Sequence, residues 1–144
     1  MIKLYPLAKF NIVKGVFILS WRDIKIQNID AIEKCVAEFE ITALRFFEEL
    51  YEDDIIHYGA FKVKIYERQN MHSNSQERGF TGFTNLRLKS PDGGYESGIG
   101  FGATIEESLE DTIHNFMSNL KKFKDGKKSG LNKEDLVLLA YDEF

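Results

Sequence analysis

Residues 79–107 read GFTGFTNLRLKSPDGGYESGIGFGATIEE, and Gly98, Gly100 and Gly102 stand at every second position of the segment. Apolar and polar residues alternate on both sides of Ser90-Pro91-Asp92-Gly93, which has the residue order of a turn. Thr81 to Lys89 and Gly94 to Gly102 are therefore predicted to pair as a hairpin, and the chain then enters a helix at Thr104. With Ser90 to Gly93 as the loop, Lys89 faces Gly94. Leu88, Leu86 and Thr84 then share a core face with Tyr95, Ser97 and Ile99, and Phe101 faces Gly82. The other face holds Arg87 by Glu96, Asn85 by Gly98 and Phe83 by Gly100. A strand without side chains opposite an aromatic ring, an amide and a guanidinium leaves a shallow floor open to a ligand.

Phe83, Asn85, Arg87, Gly98 and Gly100 are thus the candidate ligand-binding residues. A ring can stack on a base, an amide can bond its edge and a guanidinium can hold a phosphate. The plainer alternative is that Phe83 covers a bare glycine and Arg87 pairs with Glu96. Arg78 belongs to the ligand set through the polar loop RQNMHSNSQER, residues 68–78, which is long enough to cover a site. A phosphate loop at GIGFGAT is less apt, because Glu106 and Glu107 already occupy the helix N-terminus where an anion would sit.

Around this hairpin the chain reads as one α+β domain spanning residues 1–144: an antiparallel sheet built from hairpins, packed against two helices. Leu7 to Val13 and Val16 to Trp21 are β-rich runs parted by Lys14-Gly15, and Ile24 to Ile26 is a candidate short strand. Asp30 with Glu33 resembles a capping box. Ile32, Val36, Phe39, Ala43, Phe46 and Leu50 then recur at spacings of four and three, which predicts a long helix over about 31–53. Leu44, Phe47 and Tyr51 widen its apolar arc, and with the apolar tail 131–144 this leads to an expected homodimer or larger assembly. Phe61, Val63 and Ile65 alternate with lysines as a strand. The second helix, about 105–123, is capped by Thr104 and Glu107 and carries Ile105, Leu109, Ile113, Phe116, Met117, Leu120 and Phe123 on one face. DGKKSG at 125–130 is read as a flexible connector to a docking tail.

Composition narrows the function classes. Forty-three per cent hydrophobic residues in 144 positions suffice for a core without staples, and a formal charge of −4 disfavours tracking of nucleic acid by bulk charge. The single cysteine, Cys35, sits in the predicted helix between Glu33 and Glu38 and is expected in the core of a protein from a reducing compartment. With no spanning segment or leader visible, the expectation is a cytoplasmic protein, in a bacterial cell or an infected host, with no membrane partner. His57, His72 and His114 have no ligand spacing, so neither metal nor cofactor is expected, and no catalytic motif appears.

GIGFGATIEESLEDTI resembles the strand, glycine turn and helix that end double-stranded-RNA-binding domains and occur in HicB-type antitoxins, over residues 96–116. Glu106 and Glu107 stand where the RNA-binding family carries lysines, so RNA binding is not implied. With its isoleucine, lysine and asparagine usage and its GFTNLRL strand, the chain also resembles small phage-encoded counter-defence proteins. Among these the anti-Thoeris group captures cyclic ADP-ribose signals without cleaving them. That resemblance implies a non-catalytic protein that sequesters a small anionic nucleotide-type ligand. The alternative is an immunity or inhibitor protein that meets a basic toxin or defence enzyme through Glu48, Glu49, Glu52, Asp53 and Asp54, crowded at the end of the predicted first helix where the dipole disfavours acids.

Overall fold

In the computed structural model, the chain is described for residues 11–13, 16–18, 20–50, 59–69, 79–140 and 142–144. A short antiparallel pair opens it, β1 (Asn11–Val13) with β2 (Val16–Ile18), as the β-rich runs predict. Ile24 to Ile26 forms no strand; a single 3-10 turn at Trp21–Asp23 precedes it. The main body is an antiparallel sheet of β3 (Glu33–Thr42), β4 (Ala60–Arg68), β5 (Phe80–Lys89) and β6 (Tyr95–Gly102) in that spatial order, with β7 (Leu136–Leu138) also paired to β5. One long helix, α1 (Ile105–Asp125), lies on one face. The predicted α+β class and antiparallel sheet are what the chain forms.

The helix predicted over about 31–53 does not form among its described residues, 31–50. Residues 33–42 are the strand β3, and 44–50 are a run of turns that bury Phe47 and Leu50. In β3, Ala37, Phe39 and Ile41 pair with Ile65, Val63 and Phe61, while Glu38 and Glu40 pair with Lys64 and Lys62 on the other face. A bulge between Cys35 and Ala37 puts an extra residue, Val36, into the strand. It turns two-residue alternation into the four-then-three spacing that imitates a helix. Glu33 caps nothing; it faces Arg68 across the ladder at 3.7 Å. Cys35 is exposed on this strand rather than buried in a helix. With strand and turns in place of the helix, Leu44, Phe46 and Phe47 share no wide helical arc of the kind from which a dimer is expected.

The second helix matches its expected start. Thr104 accepts the Glu107 N–H at 3.0 Å, and the Glu107 carboxylate accepts the Ala103 N–H at 2.8 Å. Its most deeply buried line is Ser108, Thr112, Phe116 and Leu120, one residue per turn, with Leu109, Ile113 and Met117 half-buried beside it. The core gathers Phe47, Phe61, Val63, Ile65, Leu86, Phe116 and Leu120, with Phe61 edge-on to both Phe47 and Phe116.

The tail folds onto this chain's own core. Leu131 and Leu136 are buried, and Asp135, only 4% exposed, takes two bonds from Lys127 Nζ (2.8 and 3.0 Å) and one from the Asn132 N–H (2.8 Å). The 125–130 segment that leads there is itself closed by turn bonds from Gly126 to Lys122, Lys127 to Lys124 and Gly130 to Lys127.

Candidate functional site

The β5–β6 hairpin places every residue of the candidate set that can be described. Its loop is five residues long, not four. Lys89 pairs with Tyr95, the Ser90 N–H donates to the Gly94 carbonyl, and the Asp92 carboxylate takes the Ser90 hydroxyl and the Gly94 N–H. Those two donors, the hydroxyl first, hold the Asp92 carboxyl below its ordinary pKa. One added loop residue inverts the face of every residue on β6. Further along, a second irregularity sets Thr84, Asn85 and Leu86 against the single residue Gly98, and Phe83 then pairs with Ile99 and Gly82 with Gly100.

The face of β5 is therefore as predicted and that of β6 is reversed. Gly98, Gly100 and Gly102 look at α1, not at a ligand. A methyl group on Gly98 would stand 2.4 Å from Phe116 Cβ, one on Gly100 2.2 Å from the backbone nitrogen of Thr112, and one on Gly102 2.5 Å from that of Ser108. The floor inferred for a ligand is occupied by the helix. Three side chains are absent from this strand because α1 approaches its backbone more closely than any Cβ permits.

Asn85 is also withdrawn from the ligand set. Its Oδ1 accepts the Lys62 N–H of β4 at 2.7 Å and its carbonyl accepts the Leu139 N–H at 2.9 Å. Along this edge of β5, β4 pairs with residues 80–84 and β7 with residues 86–88, so Asn85 bridges the junction. Thr84 closes the bulge, accepting the Gly98 N–H and donating to the Leu86 carbonyl. Asn85→Ala is expected to cost about 1–3 kcal/mol, because it orphans a ladder donor. An unchanged melting temperature would show that Asn85 is dispensable to the fold.

Phe83 and Arg87 remain together on the sheet face opposite α1. Phe83 meets the Tyr66 ring edge-on at 5.9 Å and faces Lys64 and Ile99 across the ladders. Arg87 donates from Nε to Ser97 Oγ at 3.2 Å and does not pair with Glu96. Burial pushes the Tyr66 phenol up in pKa, and Cys35, Glu33 and Glu38 nearby add to the shift. This face stays partly apolar in solvent, with Ile99 43% and Phe101 52% exposed.

A groove of about 1060 Å³ wraps around β6, the edge strand, from the face that carries Phe83 and Arg87 to α1. Phe83, Arg87, Lys89 and Tyr95 from the hairpin line it together with Asn115, Asn119 and Lys122 from α1. The helix also shields that edge, since Asn115 Nδ2 donates to the Ile99 carbonyl and Asp111 accepts the Phe101 N–H. A smaller open pocket of about 220 Å³ shares Phe83, Arg87 and Ser97 and is also lined by Glu33, Tyr66, Leu139, Glu143 and Phe144. The helix residues were missed in the sequence. Their signal is a polar row, Asp111, Asn115, Asn119 and Lys122, beside the buried row at the same helical spacing.

Arg78 lies outside the described residues, as do Glu52, Asp53, Asp54, His57 and His72. Glu48 and Glu49, the described members of the acidic cluster, are exposed in the turns after β3 rather than at a helix end, and Glu49 lies 3.5 Å from Lys124. His114 is exposed on α1 at the groove rim. Among the described residues no group of three or more His, Cys, Asp or Glu could hold a metal ion, and no helix is long and apolar enough to cross a membrane. Comparison with protein-family models, with curated proteins and with solved structures gave no match to the chain.

Proposed function

We propose that this protein is a non-catalytic binding protein that takes a small anionic, ring-bearing ligand of the nucleotide type into the groove around β6 and sequesters it. The observation that supports this reading is that one groove, wrapped around the β6 edge, is lined from two elements. The hairpin contributes the Phe83 ring, Arg87 and Lys89, and α1 contributes Lys122 and the amides of Asn115 and Asn119. The cations outnumber the one carboxylate in the lining, Glu96, which favours an anion, and the aromatic and amide groups suit a planar base. A role as a sponge for a signalling nucleotide is what the counter-defence resemblance adds.

The test is calorimetry and thermal melting with AMP, ADP, ADP-ribose and cyclic ADP-ribose. At least one of them is expected to raise the melting temperature of the parent protein. Phe83→Ala should remove stacking worth about 1–3 kcal/mol and Arg87→Ala a charge-assisted bond worth about 1.5–3 kcal/mol, so that each weakens binding about tenfold or more while the fold survives. No heat and no melting shift from any of the four would sink the proposal, and so would full affinity in both variants.

A further inference from the structure

The chain beyond β7 turns back over the face that carries Phe83 and Arg87. The Leu139 N–H is tied to the Asn85 carbonyl, which fixes one end of the segment beside the β5 bulge. A tight turn follows. The Glu143 and Phe144 N–H groups donate to the Ala140 carbonyl at 2.9 and 3.2 Å, and the Glu143 carboxylate accepts the Ala140 N–H at 3.1 Å. This turn sets the Phe144 ring 4.6 Å from Lys64 Nζ, and Lys64 is the residue directly across the ladder from Phe83. Leu139, Glu143 and Phe144 accordingly line the small pocket together with Tyr66, Phe83 and Arg87.

An aromatic ring on a lysine, next to a second ring and a guanidinium, has the pattern that the proposed ligand's base would adopt at the same place. Among the described contacts the ring sits over Lys64 Nζ and follows a turn of three hydrogen bonds, and it stays half-exposed, a hold weak enough for a ligand to compete with. We infer that residues 139–140 and 142–144 act as a strap whose Phe144 ring occupies the aromatic end of the site and competes with the ligand for it. The inference rests on the reading of Phe83 and Arg87 as ligand-binding residues. Binding then requires the strap to leave, and the apparent affinity is lowered by the fraction of molecules in which it is closed.

Phe144→Ala and Phe144→Leu test this with the same four nucleotides, each variant first checked by thermal melting. Leu keeps apolar cover and removes only the ring. Phe144→Ala is expected to bind about three- to tenfold tighter than the parent, with a smaller gain for Phe144→Leu. If the Ala variant fails to fold, the Leu variant decides by the direction of its change. Equal or weaker binding in the folded variants, with a parent that does bind, would overturn the strap and leave the proposed function standing. Binding by the variants alone would support both. If neither the parent nor a variant binds any of the four, the functional reading fails and the strap falls with it.

Discussion

Gly100→Ala is expected to destabilise the protein by on the order of 3 kcal/mol or more, a large share of the roughly 5–15 kcal/mol that holds a typical domain together. The new Cβ would lie 2.2 Å from the Thr112 backbone nitrogen and 2.6 Å from its Cα, so relief requires the whole helix to move rather than one rotamer to turn. That distinction is measurable. At Gly82 the nearest atom is instead the Thr112 hydroxyl oxygen, also at 2.2 Å. Adding Thr112→Ala should therefore recover part of the loss in Gly82→Ala but little of the loss in Gly100→Ala. Gly79→Ala, whose nearest neighbour is a side-chain carbon at 4.0 Å, serves as the near-neutral control. A Gly100→Ala protein unfolding at the parent's denaturant midpoint would mean that α1 does not sit as closely as described.

Phe116→Ala should cost about 3–5 kcal/mol, the usual range for deleting a fully buried ring. Phe116 is 1% exposed, lies 5.3 Å from the Phe61 ring and roofs Gly98. The two sites share one space, since a Cβ on Gly98 meets Phe116 Cβ, Cγ and Cδ1 within 3 Å. Combining Phe116→Ala with Gly98→Ala should cost only modestly less than the sum of the single changes, because the double change removes the two ring contacts at 2.9 Å but keeps the 2.4 Å contact with Phe116 Cβ, which alanine retains. A Phe116→Ala protein with the parent's stability would contradict the burial of the ring.

How far the sequence could be read depended on whether a local signal acted alone. The last helix was legible to its cap, because Thr104 and Glu107 and an apolar period of 3.6 agree. The β5–β6 hairpin was legible as an element but not in register. The fifth loop residue is admitted by Asp92 bonding the Gly94 N–H, and the bulge is closed by Thr84, both choices made by side chains that carry no periodicity. For β3, one inserted residue near Cys35 turned a strand pattern into a helical one. Glu38, Glu40 and Thr42 alternating with Phe39 and Ile41 are the part of the pattern that reads correctly once the bulge is allowed for. At the site, Phe83 and Arg87 keep the outward face that period-two alternation predicts, on either side of the irregular stretch Thr84 to Leu86. Asn85 was misassigned because its role depends on where β4 ends and β7 begins, a relation between segments more than fifty residues apart.

The order in which a ribosome releases these segments adds a constraint of its own. One edge of β5 is completed by two different strands, and the half that carries Arg87 is paired on that edge by residues 136–138, made some fifty residues after it. During synthesis the first half of β5 can close against β4 at once, while Leu86 to Leu88 keep an open apolar edge until β7 emerges. A nascent chain halted between α1 and β7 should therefore be the species most prone to pair with a second nascent chain, or to be seized by a chaperone. The anchor of the strap at Asn85 is added in that same last step, so a ligand present during synthesis would meet the Arg87 face before its competitor exists.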